Sequence, residues 1–469
     1  MIDRMHLLND EQMRHFISNG YVTVKTDLPP SFHDAVFKQT EIVFEKEGNP
    51  GNNLLPRIPT IEAVFDDKTV RGALVSVLGA DYYMQPHRHP HYNPPKSDGQ
   101  RMHQDGGKRW SHHTRWLLVF YYPQDTPPEL GPTGIIPGSH YYNTPDGAKI
   151  SEELPLCGEA GTVVIANYDL WHRATPNRTD RKRYMMKFLF ARMSEPQAPS
   201  WHTEQVKNPD SFGAEWQQGE LIGDSKHQRM FQHVWDWHSG TTNGALRKAR
   251  PDCSESISEL VEALGSDSES ICLNAAYALS EFGKSAVPAL VGLLADESEA
   301  IRRNACYALS AMGEPAVDML IGALRDQNCS VRDSAAQTLG DIGLAAQAAV
   351  PALIGAMQDE SEKVRSHAAE GLGTTGQLEP TAVPALIVAL QDENEGVRNK
   401  ATLALARLGP HAKEAVDALR VVLSDEDRYV RGDAVHALHR IGTPEAKEVL
   451  LRFLMTSRWC PLTTRDSTH

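Results

Sequence analysis

Two patterns of apolar residues divide this chain. Up to about residue 240, short apolar runs alternate with turn residues, whereas from about residue 254 apolar residues recur every three or four positions. Spacings of three and four are typical of the buried face of a helix, and short runs bounded by turn residues are typical of strands. The pattern therefore predicts a multidomain protein, with a sheet-rich N-terminal part and an all-α C-terminal part.

Helices come first in the N-terminal part, and strands follow. We predict helices over 9–19, 31–48 and 60–79, and strands over 21–25, 81–92, 115–123, 132–136, 161–168 and 184–193. Short strands separated by turns and flanked by helices favour a double-sheet jelly roll. In the strand 81–92, alternate residues share one face, and they are Gln85, His87, His89 and His91. We interpret this row as a polar wall facing a bound ligand, with plain surface polarity as the alternative.

The C-terminal part repeats itself. Glycines return at intervals of 30 or 33 residues, at Gly283, Gly313, Gly343, Gly376, Gly409 and Gly442, and an Asp and an Arg keep nearly the same interval. A period of this length indicates a solenoid of helix pairs. The units resemble short HEAT repeats, about six of them over 254–456. The resemblance implies Arg–Asp bonds within or between units and a protein partner on the concave face.

Charge and composition exclude several kinds of partner. The net charge is −14, and residues 251–450 carry 16 basic and 31 acidic side chains, against 28 and 29 in residues 1–250. This balance argues against binding to nucleic acid or to anionic lipid. No apolar run approaches the roughly 20 residues that span a bilayer. Six scattered cysteines without a CxxC pair indicate reduced thiols. We therefore expect a cytoplasmic protein without a membrane span.

The residues that carry chemistry are His103-Gln104-Asp105, His172 and Arg183. Residues two apart in a strand point the same way, so His103 and Asp105 can reach one metal ion. His172 ends an apolar run, and a hairpin after it would return Arg183 to its side. Two imidazoles and one carboxylate suit a ferrous ion and leave open positions for a keto acid and dioxygen. Arg183 offers a planar fork for the far carboxylate of the keto acid.

These residues, with the turn Ile136-Pro137-Gly138-Ser139-His140 between them, resemble the phytanoyl-CoA dioxygenase family of iron(II)/2-oxoglutarate oxygenases. The resemblance covers residues 8 to about 240. It implies that His103, Asp105 and His172 bind Fe(II), that Arg183 holds 2-oxoglutarate, and that O2 is the second co-substrate. Related halogenating enzymes replace the metal-binding carboxylate with Gly or Ala. Because Asp105 is present, the resemblance implies hydroxylation or a related oxidation.

Three further residues are predicted to contact the cofactor. Members of the family commonly place a hydroxyl residue two positions after the distal histidine. That position is Ala174 here, so we expect the hydroxyl contact from the next residue, Thr175. Tyr121 is predicted to lie inside the barrel beside 2-oxoglutarate, and His89 belongs to the polar wall.

We therefore predict a dioxygenase domain over 1–245, a HEAT-repeat domain over 254–456 and a tail over 457–469. The expected function is Fe(II)- and 2-oxoglutarate-dependent hydroxylation of a small organic molecule, with release of succinate and CO2. Two alternatives remain open. The repeats could recruit a protein substrate to a protein hydroxylase, or the chain could be a non-enzymatic adaptor with a structural barrel.

Overall fold

The computed structural model describes residues 4–107, 110–203, 227–241, 256–376 and 380–456. The predicted tail, 457–469, and the predicted domain boundaries near 245 and 254 lie outside these ranges. We call residues 4–203 the sheet region and residues 256–456 the repeat region. The strands of the sheet region are β1 (Tyr21–Lys25), β2 (Tyr82–Asn93), β3 (Trp116–Tyr121), β4 (Thr133–Ile135), β5 (Leu154–Pro155), β6 (Thr162–Asn167), β7 (His172–Ala174) and β8 (Arg183–Arg192).

The strands form two sheets. The larger one has the order β1-β6-β3-β8-β2, and the smaller one has the order β5-β4-β7, with antiparallel pairing throughout. One face of the larger sheet packs beneath helices. Its other face meets the smaller sheet in a separate apolar cluster that includes Leu118, Phe120, Ile135, Met185 and Leu189. The space between the sheets is therefore lined by alternate residues of β3 and β8.

The helices before the sheets are α1 (Asp10–Asn19), α2 (Pro30–Glu47), α3 (Leu54–Arg57), α4 (Glu62–Asp66) and α5 (Lys68–Leu78). Helix α1 begins at a capping box between Asn9 and Gln12. The predicted helix 60–79 is wrong as one element. Asp67 leaves helical geometry, and its carboxylate accepts the N–H groups of Thr69 and Val70, so it ends α4 and caps α5. A sixth helix, α6 (Gln228–His238), follows the sheets.

The described part of the repeat region consists of six helix pairs and a last single helix. The first members are Ile257–Ala263, Val287–Gly292, Val317–Ala323, Val350–Ala356, Val383–Ala389 and Val416–Val422. We call the second members the inner helices; they are Glu269–Ser280, Glu299–Met312, Cys329–Ile342, Glu362–Thr375, Glu395–Leu408 and Arg428–Ile441. The single helix is Pro444–Thr456. The predicted array of helix pairs is confirmed.

An arginine–aspartate ladder links successive repeats. Three arginines bond the aspartate of the next unit through Nε at 2.7–2.8 Å and through Nη2 at 3.0–3.2 Å, in the pairs Arg332–Asp359, Arg365–Asp392 and Arg398–Asp425. The Arg332, Arg365 and Arg398 guanidinium groups also donate from Nη1 to two carbonyls of their own turn. Because each arginine spans two units, the ladder fixes their register. The prediction of such bonds is confirmed.

One stretch of the repeats, Cys329–Ala356, is long and apolar enough to cross a membrane by length and composition, and 44% of its most apolar window is buried in the protein. It combines an inner helix with the first helix of the next pair. Ala346, at φ −98° and ψ 20°, interrupts it. Its hydropathy is that of helices packed within the array.

The inner helices pack against the sheet region of the same chain. Arg115 donates to Asp341 at 3.0 Å, and His112 shares a 2.6 Å hydrogen bond with the Tyr277 hydroxyl. His112 is buried, and His113 stacks on Trp237. The resemblance to HEAT repeats predicts a protein partner on the concave face. These contacts show that the sheet region covers part of the surface of the inner helices. The N- and C-terminal parts therefore share a polar interface.

Candidate metal centre

His103 and His172 are held together by the backbone. Each N–H donates to the carbonyl of the other residue, at 3.0 and 2.9 Å, which makes an isolated antiparallel bridge. The two imidazole centroids are 4.6 Å apart. We predicted a strand through His103 and Asp105, and the structure has only this bridge. The chain leaves the sheet after this bridge, yet the side chains of His103 and Asp105 still point toward the same position.

Asp105 completes a compact triad. Its Oδ1 lies 3.9 Å from His103 Nε2, and its Oδ2 lies 3.6 Å from His172 Nε2. One ligand atom from each residue falls within 4.8 Å of the other two. Three such atoms can bind one ion at ordinary metal–ligand distances of about 2.0–2.2 Å. The structure therefore brings the three predicted ligands together.

The hydrogen bonds of both imidazoles suit metal binding. His103 Nδ1 lies 2.8 Å from the Arg101 carbonyl, and His172 Nδ1 lies 2.8 Å from the Leu170 carbonyl. A carbonyl only accepts, so each Nδ1 carries the proton and each Nε2 keeps a free lone pair toward Asp105. Burial lowers the pKa of His172 to about 4, which keeps its ring neutral. The donor set thus fits a divalent metal ion.

Lys187 was missed in the sequence. It lies on β8 with its side chain 4% exposed, and its Nζ is 2.6 Å from Asp105 Oδ2. Burial opposes ionisation of Asp105, but this ammonium and the two histidines outweigh it, so the pKa of Asp105 lies below its ordinary value. The sequence signal that could have identified Lys187 is a lysine within an apolar strand. It lies four residues after Arg183 and is therefore on the same face of the strand as Arg183.

Arg183 is fully buried at the start of β8. Its Nε donates to the Gly131 carbonyl at 2.9 Å, and its Nη1 donates to the His91 carbonyl at 3.4 Å. Its Nη2 is buried and has no hydrogen-bond partner among the described residues. Burial lowers the pKa of Arg183 to about 10, so the group is still a cation at neutral pH. A buried cation with an unused donor is suited to a carboxylate ligand.

A narrow cavity of about 10 Å³ lies between His172, one member of the triad, and Arg183. Its lining residues are His91, Gln100, Thr133, His172, Arg173, Ala174, Arg183, Met185 and Lys187. One end is thus a metal ligand and the other is a guanidinium group. A dicarboxylate that chelates a metal ion and reaches Arg183 with its far end matches the chemistry of these two ends, so the donor and charge pattern of the residues present suits 2-oxoglutarate.

Of two further predicted cofactor contacts, Tyr121 is placed on the opposite face of the sheet from the triad, because side chains alternate along a strand, and the contact of Thr175 stays a prediction. Tyr121 faces the helices, where its hydroxyl lies 2.8 Å from His33 Nδ1, and Tyr122 lies in the cluster between the sheets. Burial raises the pKa of Tyr122, although the Arg183 guanidinium acts to lower it. Thr175 donates its hydroxyl to the Pro132 carbonyl at 2.8 Å and is not among the cavity residues, whereas Ala174 is.

His89 lies in the predicted row on β2. It pairs with Lys187 across β2 and β8, and its ring stacks on His91 with centroids 4.7 Å apart. Burial, with a contribution from Lys187, lowers the pKa of His89 to about 4. The row therefore faces the space between the sheets, and His89 is a neutral wall residue near the triad.

Comparison with known proteins agrees with this geometry. Residues 30–185 match the family model "Phytanoyl-CoA dioxygenase (PhyH)", and residues 257–328, 317–406 and 383–459 match HEAT repeats. The chain joins a phytanoyl-CoA dioxygenase domain to HEAT repeats. The matched part of the phytanoyl-CoA dioxygenase domain contains the triad and Arg183. No curated protein matches the sequence.

Three solved structures that match part of this chain are the following. AviO1 from Streptomyces viridochromogenes is 16% identical, with 41% of this chain and 96% of AviO1 covered and a TM-score of 0.34. The alpha-ketoglutarate-dependent carbocyclase SnoK from nogalamycin biosynthesis is 19% identical, with 41% and 88% covered and a TM-score of 0.35. HygX from Streptomyces hygroscopicus, with nickel and 2-oxoglutarate bound, is 15% identical, with 44% and 93% covered and a TM-score of 0.33. At these scores the likeness decides neither substrate nor product. The phytanoyl-CoA dioxygenase match and the triad support an oxygenase that uses a metal ion with 2-oxoglutarate.

Proposed function

We propose that this protein is an Fe(II)- and 2-oxoglutarate-dependent dioxygenase that hydroxylates a small organic molecule. The observation that carries the proposal is the triad, with a cavity between its His172 and a buried arginine that has an unused donor. Iron with 2-oxoglutarate and O2 supplies an oxidant for C–H bonds, and succinate and CO2 are the co-products. We interpret the two sheets as the jelly roll of such enzymes, within a dioxygenase unit over 1–245.

The chain's own residues hold and orient the reactants. His103, Asp105 and His172 would bind the metal ion through Nε2, a carboxylate oxygen and Nε2. Arg183 would donate a hydrogen bond to the far carboxylate of 2-oxoglutarate. Its Nη2 is buried and has no partner among the described residues. The apolar cluster between the sheets excludes water from this end of the cavity, which strengthens the charged contact.

Lys187 balances the charge of the triad. Without a metal ion, the Asp105 carboxylate would lie largely buried beside the two imidazoles. The Lys187 ammonium at 2.6 Å compensates it. With a divalent ion held by the triad, Lys187 would no longer be needed to compensate Asp105. Its ammonium could then donate to the second oxygen of Asp105 or to a carboxylate in the cavity, whose lining it shares.

The small-molecule assignment is favoured over recruitment of a protein by the inner helices. Four of the six inner helices contact the sheet region through hydrogen-bonded side chains, including Tyr277, Tyr307, Asp341 and Asp433. A protein substrate would need other surfaces of the repeats.

The test is release of succinate from 2-oxoglutarate by the purified full chain with Fe(II) and O2, with and without pools of small molecules. We expect slow turnover alone and faster turnover with the pool that contains the substrate. His103→Ala should abolish both, and Arg57→Gln, which changes an arginine outside the cavity that pairs with Glu47, should abolish neither. Absence of turnover in every pool would support the adaptor alternative.

A further inference from the structure

The last inner helix, Arg428–Ile441, lies along β2, which is an edge strand of the larger sheet. Residues on one face of the helix meet residues of β2 and the position before it in reverse order. The contacts are Tyr429 with His87, Gly432 with Pro86, Asp433 with Gln85, His436 with Tyr83 and Arg440 with Asp81. The helix therefore packs against side chains of the first half of β2.

This packing leaves little room for the helix to shift. A Cβ atom at Gly432 would come within 2.3 Å of Pro86 Cγ, so helix and strand are in close contact there. His436 stacks on Tyr83 with centroids 3.8 Å apart and an interplanar angle of 10°. Gln85 donates to the fully buried Asp433 at 3.3 Å. The first turn of the helix is thus held at a fixed place beside β2.

That first turn reaches the row of histidines that leads to the triad. The Tyr429 hydroxyl lies 2.9 Å from His87 Nδ1. The ring of His87 is 5.0 Å from that of His89, which pairs with Lys187 on β8. The charges of Lys187, Asp105 and Arg428 all act on the pKa of His87, after the larger effect of burial, which lowers it. The repeat region and the triad are therefore close enough to face one ligand.

Tyr168 approaches the same space from the other side. Its hydroxyl lies 3.5 Å from the Asp105 carbonyl. Burial raises the pKa of Tyr168 to about 12, with added contributions from Asp105 and Tyr429. The side chain of His103 is 41% exposed, so the triad is accessible to solvent. Tyr168 and Tyr429 thus flank the region beside an accessible metal ligand.

Arg428 is a cation of this region that forms no ion pair with the described carboxylates. It is exposed, its guanidinium carbon is 4.8 Å from the centre of the Tyr429 ring, and its Nη2 donates to the Tyr429 hydroxyl at 3.0 Å. Lys187, in contrast, is paired with Asp105. A cation fixed on an aromatic ring and lacking a carboxylate partner suits an anionic ligand.

We propose that the last HEAT repeat forms one wall of the substrate site, and that Arg428 binds an oxyanion of the substrate, a carboxylate or a phosphate ester, while Tyr429 and Tyr168 flank it. This inference rests on the proposed oxygenase function. Arg428 is a specificity-determining residue in this account. The attachment of the repeats to an oxygenase domain thereby has a direct role in substrate choice.

The experiment uses the full chain with Fe(II) and 2-oxoglutarate. Without O2, the visible absorption band of the iron–2-oxoglutarate complex is followed; with O2, succinate release is followed. The probe is a cellular small-molecule extract divided on anion-exchange resin into retained and unretained pools. We expect the retained pool to shift the band and to accelerate succinate release. Loss of this effect after phosphatase treatment would identify a phosphate ester, and its persistence a carboxylate.

Arg428→Gln should raise the amount of retained pool needed for half of the maximal effect by about tenfold or more, because a charged hydrogen bond is lost. Arg428→Lys should restore part of it. The matched control is Arg420→Gln, an exposed arginine on the helix Val416–Val422, which should behave like the parent protein. The band without added extract should be equal in all four proteins.

The proposal is overturned if the unretained pool alone is effective, if neither pool is effective, or if Arg428→Gln responds like Arg420→Gln. A failure of the proposed function is recognised separately, because the parent protein would then form no iron–2-oxoglutarate band before any extract is added.

Discussion

Replacing Arg183 by methionine would separate a binding role from a folding role. The buried guanidinium has two donors on carbonyls and one, Nη2, without a partner among the described residues. Removing a dry, charge-paired contact costs about 2–5 kcal/mol. At about 1.4 kcal/mol for each factor of ten, the dissociation constant of 2-oxoglutarate should rise between about 30-fold and several thousand-fold.

The substitution should change the free energy of unfolding much less than the free energy of 2-oxoglutarate binding. The Gly131 carbonyl keeps a second donor, Asn93 Nδ2 at 3.1 Å, and methionine retains most of the apolar stem. In the protein without 2-oxoglutarate, the substitution also removes a buried cation that has no described carboxylate partner. The free energy of unfolding should therefore fall by less than about 2 kcal/mol.

The assay is calorimetric titration of 2-oxoglutarate into metal-loaded protein without O2, together with titration of the metal and urea denaturation. The matched control is Arg57→Met, which removes an arginine that lies outside the cavity and is paired with Glu47. If metal and 2-oxoglutarate affinity fall equally, or if unfolding free energy falls more than binding free energy, Arg183 is a folding residue and the reasoning is refuted.

Three further substitutions test neighbouring features. Lys187→Met should raise the affinity for a divalent metal by about tenfold or more in a metal titration, because the ion no longer competes with an ammonium for Asp105. Tyr122→Phe should weaken 2-oxoglutarate binding by about two- to tenfold, because it removes a buried hydroxyl whose pKa responds to the Arg183 guanidinium, whereas Tyr121→Phe, on the helix side of the sheet, should not. Arg115→Met should lower the free energy of unfolding in urea by about 3–5 kcal/mol, because it leaves two carboxylates buried at the interface with the repeats.

For each of these substitutions, a specific outcome would contradict the prediction. Unchanged or weaker metal binding by Lys187→Met would mean that the ammonium supports the triad and does not compete with the ion. Equal effects of the two tyrosine substitutions on 2-oxoglutarate affinity would show that the Tyr122 hydroxyl has no particular role in binding. A loss below about 1 kcal/mol for Arg115→Met would show that its ion pairs are solvated, as surface pairs are.

Local patterns were sufficient to find the triad. The two-residue spacing of His103 and Asp105, the apolar run before His172 and the turn before Arg183 are all encoded within short stretches, so strand geometry alone predicts that the side chains converge. The same is true of the ladder, because its arginines and aspartates recur with the repeat. The sequence therefore predicted both parts of the fold and the centre of the site.

Strand register explains the placement of Tyr121. A displacement of one residue moves a side chain to the other face of a sheet, and Tyr121 and Tyr122 are adjacent. Apolar residues occupy both faces of β3, so alternation gives no signal there. Lys187 did give a signal, since a lysine inside a buried strand requires a partner.

Contact between the repeats and the sheet region could not be predicted from periodicity. The residues that meet are far apart in the chain, as with Arg115 and Asp341 or His87 and Tyr429. A helical period identifies which face of a helix is buried, but not the surface that buries it. The polar residues of the inner helices therefore resembled solvent-exposed groups until the structure placed them against the sheet region.

The most direct test of the central claim is the absorption spectrum of the full chain with Fe(II) and 2-oxoglutarate in the absence of O2. We predict a weak visible charge-transfer band that saturates at one iron per chain, is lost in His103→Ala, and persists in Arg57→Gln. A parent protein that binds iron without this band, or a band that survives in His103→Ala, would contradict it.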